Sequence, residues 1–405
     1  MPNDLIRYSS QSIDDDDIKE VIAALKSSHL AQGPRIAAFE NAVSLFCSAP
    51  FAVACSSGTA ALHIACMAAG VEPGDEVITS PITFVASANC AVYCGGKPVF
   101  ADIDPATYNI LPEEIAKKIT AKTKAVIPVH FAGQSCDMEA IVNVVRNAEK
   151  KFGHKITIIE DASHALGSKY KKRAIGSCAF SDMTVLSFHP VKHITTGEGG
   201  MVLTADKNLG NRLKRFRSHG ITSNAEELVC PEEAWDKSEA QPVLKTWYYE
   251  QNDLGYNYRI TDIQSALGIS QLKKLPKFVQ RRREIVNLYN ESFAGMKNVQ
   301  IPFEKSFSES NFHLYVPQFD FEKMGVSRAH FMQELKNKNI QTQVHYVPVY
   351  TQPYYRKKFG TAWGDCPNAE SYYQKCLSIP LYPAMTDEEA RHVISAVKAL
   401  ARGKK

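Results

Sequence analysis

The sequence predicts an α/β protein in two parts, a large domain built on a mostly parallel sheet and a smaller C-terminal α/β domain. Three observations carry this. Short apolar strands alternate with helical patterns from Phe51 to Thr204, which calls for crossover connections and helices on both faces of the sheet. The length of 405 residues exceeds one ordinary core. After a polar stretch without periodicity from Ser223 to Gln241, helical patterns resume and lead into a second strand–helix alternation. The domains are placed at 1–265 and 266–405, with the N-terminal helix allowed to pack on the smaller one.

Residues 14–47 read as helical, with amphipathic stretches at 18–25 and 36–46 separated by Gln32-Gly33-Pro34. Strands are expected at 51–54, 76–79, 98–102, 125–130, 155–160, 183–187 and 200–204. Helices are expected between them, running to Ala69 and over 84–93, 111–119 and 138–151. The last strands lie close together, so the sheet is read as mixed there. Two long helices follow at 260–275 and 278–293, then strands at 314–319 and 341–346 and helices at 327–338 and 387–400.

With 44% hydrophobic and 22% charged residues, the composition is that of a globular protein. Lys plus Arg number 47 against 43 Asp plus Glu, which gives no concentrated basic face for nucleic acid. No apolar run is long enough to span a bilayer. The ten cysteines are scattered and form no CxxC pair. Buried free thiols, a reduced cytoplasmic setting and no metal site are the expectation.

Three motifs carry chemistry. In Ile158-Ile159-Glu160-Asp161-Ala162-Ser163-His164, an apolar strand ends in two acids at the sheet edge where α/β proteins bind ligands. A carboxylate there needs a positive partner, and a protonated pyridine nitrogen is one; a helix-capping acid answers to the same residues. In Ser187-Phe188-His189-Pro190-Val191-Lys192, followed by Gly197-Glu198-Gly199-Gly200, a lysine sits in a small-residue loop after another strand. Such an amine can form an imine once desolvation lowers its basicity, whereas a lone lysine is ordinarily a solvated surface residue. Ser56-Ser57-Gly58-Thr59-Ala60 leaves backbone N–H groups at a helix N-terminus, suited to phosphate, although an ordinary helix cap reads the same way.

Together with Pro81-Ile82-Thr83-Phe84-Val85-Ala86-Ser87 and Gly255-Tyr256-Asn257-Tyr258-Arg259, these motifs in this order resemble the DegT/DnrJ/EryC/StrS sugar aminotransferases over nearly the whole chain. The resemblance implies the aspartate-aminotransferase-like fold (PLP fold type I) and pyridoxal 5′-phosphate (PLP) as cofactor. It makes Lys192 the Schiff-base lysine and Asp161 the partner of the pyridine nitrogen, the two catalytic residues. His164 would lie near the ring's phenolic oxygen, and Phe84 would stack on its face. Gly58, Thr59, Ala60 and Ser187 would hold the phosphate. Asn257 resembles the asparagine lent to the neighbouring subunit's phosphate site, which implies a homodimer with shared active sites. His189, His345 and Tyr346 are candidates for substrate contact, with capping or burial as the alternative for the histidines.

Arg217-Ser218-His219-Gly220-Ile221, the stretch from Gln264 to Lys274, and Gln343-Val344-His345-Tyr346 resemble one member group, the UDP-4-amino-4,6-dideoxy-N-acetyl-β-L-altrosamine transaminases of pseudaminic acid biosynthesis. That likeness implies amination at C4 of a UDP-linked 4-keto-6-deoxy sugar with L-glutamate as donor. The longer polar segment and Gly58 depart from the group's pattern. A GDP- or dTDP-linked keto sugar is the alternative substrate. A PLP sugar dehydratase would carry histidine where Lys192 stands, and His193 falls one place late. A non-catalytic protein of this fold would have lost Lys192, Asp161 or the phosphate turn.

Overall fold

A computed structural model describes residues 5–238 and 241–401, so residues 239 and 240 of the polar segment lie outside the described residues. Helices α1 (Asp15–Leu25) and α2 (Pro34–Cys47) come first, then strand β1 (Phe51–Cys55) and helix α3 (Gly58–Ala68). There follow β2 (Glu76–Thr79), α4 (Ala86–Tyr93), β3 (Lys97–Phe100), α5 (Pro112–Lys118), β4 (Thr123–Ile127), α6 (Met138–Phe152) and β5 (Thr157–Asp161). A hairpin of β6 (Lys169–Tyr170) and β7 (Arg173–Ala174) precedes β8 (Met183–Ser187), β9 (Gly200–Thr204) and α7 (Lys207–Arg217).

Seven of these strands form the central sheet in the order β1-β9-β8-β5-β4-β2-β3. All run parallel except β9, which is antiparallel to both β8 and β1. The mixed end of the sheet is therefore β9 alone. Successive residues of each strand feed opposite faces. Ile158, Leu186, Met201 and Leu203 join one core with Phe39 and Val43 of α2. Ile159, Val185, Val202 and Val53 join another with Ala61 and Ile64 of α3 and Leu213 of α7. Strands buried on both sides read as unbroken apolar runs for this reason.

The acidic run near the N-terminus caps a helix. The Asp14 side chain accepts from the Asp17 N–H, and the Asp17 side chain accepts from the Asp14 N–H. Asp17 is buried because its carboxylate also takes Gln271 Nε2 at 2.7 Å and Lys274 Nζ at 2.8 Å, which pins α1 to a later helix. Asp262 of that helix accepts from the N–H groups of Gly33 (2.7 Å) and Arg35 (3.0 Å), capping α2 in place of the side chain Gly33 lacks. A Cβ on Gly33 would come within 2.6 Å of the Asp262 carboxylate, so this approach requires glycine.

The later helix, α8 (Asp262–Phe293), is continuous for 32 residues, where the sequence reading expected two. Pro276 suggests the break because it cannot donate and disfavours helix in the residue before it. The helix persists because Leu272, Leu275, Phe278, Arg282, Ile285, Tyr289 and Phe293 form one buried stripe that runs past the proline. Its first half packs on the sheet, and its second half joins Ile6, Phe331, Leu377, Val393 and Val397 in a separate core.

That core is completed by α9 (Arg328–Lys336) and α12 (Asp387–Ala401), while α10 (Pro353–Phe359) and α11 (Pro367–Lys375) place Tyr355, Ala369 and Tyr372 in another cluster with Phe100, Tyr108 and Phe131. The strands expected at 314–319 and 341–346 shrink to Gln318–Phe319 and to a single bridge between Gln343 and Ser378. The segment around 376–379 serves both sides, bridging Gln318 and Tyr315 on one and Gln343 on the other. Pro317 and Pro380 supply no N–H there, so no ladder extends. Among the described residues no helix is long and apolar enough to cross a membrane.

Candidate active site

β1, β5 and β8 run in the same direction, so Ser57-Gly58, Asp161 and Ser187 emerge at one edge of the sheet. They open into a cavity of about 720 Å³ lined by Gly58, Thr59, Phe84, Ser87, Asp161, His164, Ser187, His189, Lys192, His345 and Tyr346, among others. Two of the sequence-predicted site residues are not in that lining. Ala60 sits behind it with its N–H given to Ser57 Oγ at 3.1 Å. Asn257 is exposed elsewhere, bridged to Ser218.

The two neighbouring acids of β5 separate by strand alternation. Glu160 is used internally: His130 Nε2 donates to it at 2.6 Å, and the Ser181 and Thr184 hydroxyls also donate. Burial pushes the Glu160 carboxyl up, and these donors more than offset it, leaving it below the usual range. Asp161 faces the cavity. Its Oδ2 accepts from Ser87 Oγ at 2.6 Å, and its Oδ1 accepts from Ser163 Oγ at 2.6 Å and from the Ser163 N–H at 3.1 Å. It is 4% exposed and faces no arginine in the cavity lining.

Lys192 follows β8 in a loop closed by its own N–H to the His189 carbonyl and by Thr196 N–H to the Phe188 carbonyl. Burial lowers the Lys192 amine to about 8, against the opposing pull of the Asp161 charge. The basicity of His164 is far below the ordinary value, through burial and then through Lys192, His345 and His193. His164 Nδ1 accepts from the Ala132 N–H at 3.3 Å, so Nε2 carries the proton and faces Tyr346 Oη at 3.3 Å. His345 is held at about 3 by burial and the Lys192 charge, and lies 2.7 Å from Ser378 Oγ. The lysine therefore stands before neutral histidines.

The turn into α3 is tight. A Cβ on Gly58 would lie 2.8 Å from Ser187 Cβ, so the glycine keeps the space where two strand ends meet. Phe84 is 59% exposed at the cavity wall, its ring 6.5 Å from that of Tyr346. The opposite wall is Gln343 to Tyr346 with Tyr8, whose ring lies 5.5 Å from His345. Sequence reasoning missed Ser87, Ser163 and Tyr8. Ser87 and Ser163 lay within motifs already singled out, but nothing local marks a serine as the partner of an acid 74 residues away. Tyr8 reaches the site because its segment pairs with Ile340, takes the Leu381 N–H on the Tyr8 carbonyl, and bonds Ser9 Oγ to the Val191 carbonyl.

These residues fit PLP. A buried carboxylate, an amine of lowered basicity, a glycine-lined helix N-terminus and an exposed aromatic face share one cavity large enough for cofactor and substrate. Among the described residues no group of three His, Cys, Asp or Glu is placed to hold a metal ion.

A family model described as the DegT/DnrJ/EryC1/StrS aminotransferase family matches residues 11–398. The chain is similar to the spore coat polysaccharide biosynthesis protein SpsC of Bacillus subtilis (strain 168), with 42% identity over 402 residues, 99% of this chain and 98% of that protein. It is similar to the structure of Helicobacter pylori PseC, an aminotransferase involved in the biosynthesis of pseudoaminic acid, at 32% identity and a TM-score of 0.86 over 98% of this chain and 99% of that one. It is also similar to Streptococcus pneumoniae Spr1654 in its PLP form, at 30% identity and a TM-score of 0.86 over 98% of this chain and 99% of that one. Fold, site and relatives agree: the chain belongs to the DegT/DnrJ/EryC1/StrS aminotransferase family and is a PLP-dependent sugar aminotransferase.

Proposed function

We propose that this enzyme transfers an amino group from L-glutamate to C4 of a UDP-linked 4-keto-6-deoxy-N-acetylhexosamine, in a pseudaminic-acid-type route, as a cytoplasmic homodimer. The observation that carries the reaction class is the meeting of Lys192, Asp161 and the Gly58–Ser187 turn in one cavity. The likeness to PseC and the motifs from Arg217 to Ile221 and from Gln343 to Tyr346 support the substrate.

Bound PLP supplies an electron-withdrawing ring that takes up negative charge when a proton leaves the amino-bearing carbon. Asp161, its orientation fixed by Ser87 and Ser163, would keep the proton on the ring nitrogen. Lys192 Nζ, lowered to about 8, is available as a base near neutral pH and moves the proton in both half-reactions. Phe84 would cover the ring face. Gly58, Thr59 and Ser187 would hold the phosphate, with Ala60 supporting the turn from behind. His164, whose Nε2–H faces Tyr346 Oη, would lie near the ring's oxygen, and His189, His345 and Tyr346 line the cavity where the sugar would enter.

Among the described residues lining the cavity, Lys192 is the sole lysine and there is no arginine, although the ligands carry several anionic groups. That shortage supports a homodimer in which exposed Asn257 serves the partner's phosphate site. Mixing Lys192→Ala with Asn257→Ala subunits tests it. A hybrid with shared sites retains one site with both residues intact, so activity returns on mixing; no recovery sinks the shared site.

The identity to SpsC, higher than that to PseC, favours a second reading in which another nucleotide-linked keto sugar is the acceptor. A panel of UDP-, dTDP- and GDP-linked 4-keto sugars with glutamate, read by product mass, separates the two. Turnover with a dTDP or GDP sugar and with no UDP sugar overturns the substrate and leaves the reaction class. Lys192→Ala should lose turnover and the cofactor's visible absorbance together, and retention of both would end the mechanism.

A further inference from the structure

We propose that the turn from Thr83 to Ser87 is a single cofactor-orienting unit, in which Thr83 and Ser87 are positioning residues acting on the cofactor through Asp161. This rests on the reading of Asp161 as partner of the ring nitrogen. Thr83, Ser87 and Asp161 are 3%, 1% and 4% exposed, so their polar atoms must find partners within the protein. Thr83 Oγ1 lies 2.7 Å from Ser87 Oγ, which lies 2.6 Å from Asp161 Oδ2.

The polarity of this row follows from proton counting. A serine hydroxyl has one proton, and an ionised carboxylate only accepts. Ser87 therefore donates to Asp161, and its remaining lone pairs accept the Thr83 proton. Each bond polarises the next toward the carboxylate. The same turn carries Phe84 at the cavity wall, and Ser87 N–H bonds back to the Phe84 carbonyl at 3.2 Å. One turn at the start of α4 thus sets both the aromatic cover of the ring and the acid at its edge.

The test uses full-length protein, stripped of cofactor and reconstituted. Ser87→Ala should weaken PLP binding about ten- to hundredfold, the range for deleting one hydrogen bond to an ion. It should slow the glutamate half-reaction in single turnover while leaving glutamate's apparent KM unchanged, because the Ser87 hydroxyl proton is given to Asp161 and not to the donor. Ser87→Thr should restore binding to within about threefold, since it keeps the hydroxyl. Thr83→Val should have a smaller effect, and none in the Ser87→Ala background, because Thr83 acts through the Ser87 oxygen.

Asp161→Ala is the reference. If it is crippling while Ser87→Ala binds PLP and turns over like wild type, the inference falls and the reading of Asp161 stands. If Asp161→Ala is also harmless, that reading falls first. A loss of cofactor-free melting temperature in Ser87→Ala with unchanged PLP affinity would show a merely structural serine and overturn the proposal. If Ser87→Ala does not fold, Thr83→Val decides alone: wild-type affinity and rate overturn the proposal.

Discussion

The lowered basicity of Lys192 makes a measurable claim about the cofactor-free protein. The folded chain holds this amine at about 8, against 10.5 for an ordinary lysine. At 1.36 kcal/mol per tenfold change, that difference corresponds to about 3 kcal/mol, an upper figure because the cavity side is open to water. The sign is set by which state binds more protons. Below pH 8 both states are protonated, and the folded state carries the full cost of a desolvated ammonium. Between pH 8 and 10.5 the folded state has released its proton while the unfolded chain keeps it, so raising the pH relieves that cost.

Lys192→Met removes the term and keeps a side chain of similar length. The unfolding free energy of wild type minus that of the variant should therefore rise by about 2–3 kcal/mol from pH 8 to 10.5, at up to about 1.4 kcal/mol per pH unit. Urea titrations of both cofactor-free proteins at fixed protomer concentration give the difference by linear extrapolation. A flat or falling difference refutes the claim that burial lowers this amine.

Gly58→Ala brings a Cβ within 2.8 Å of Ser187 Cβ, so PLP affinity should fall about tenfold or more while the fold survives, as read by reconstitution. His345 is held at about 3, so the folded state refuses a proton that the unfolded chain binds below about pH 6.5. Stability is thus lost as the pH falls from about 6.5 toward 3, and His345→Gln should flatten that acid slope by up to about 1.4 kcal/mol per pH unit in urea titrations. Pro276→Ala should stabilise α8 by about 1–3 kcal/mol by adding a helical N–H donor, seen as a higher urea midpoint with unchanged slope.

The central sheet was legible because its strands are buried on both faces and bounded by turn residues. The segments at 76–79, 183–187 and 200–204 coincide with β2, β8 and β9 to the residue. α7 escaped notice because Lys207–Arg217 is dominated by basic residues and buries only Gly210, Leu213 and Phe216. α8 was divided at Pro276 because a local rule about proline was applied where a long buried stripe governs. In the C-terminal part, alternation at 314–319 and 341–346 mimicked strands, but Pro317 and Pro380 limit those segments to isolated bridges or a two-residue pairing. The site residues were legible in proportion to how much of their chemistry lay within one motif. Lys192 and Asp161, each singled out from a short run, are brought into one cavity.

Glu160 and Asp161 show where that legibility ends. Side by side at a strand end, either could have been the acid that faces a ligand. What distinguishes them is which face each is sent to and who waits there. Glu160 meets His130 from the loop after β4, 30 residues earlier, and Ser181 from the turn before β8, while Asp161 meets Ser87, 74 residues earlier at the start of α4. His130 is itself committed, its Nδ1 accepting the Cys136 N–H at 3.1 Å, so its Nε2 proton can go only to Glu160. The partners of one acid are a histidine with a fixed tautomer and two hydroxyls, enough to occupy it. Those of the other leave its open side to the cavity. Lys192 is the lysine of the described cavity lining, and once its amine is neutral or consumed the buried carboxylate is best matched by a cation that the ligand brings. With no arginine in the described cavity lining to take that place, the site favours a ligand that brings its own positive charge to that oxygen.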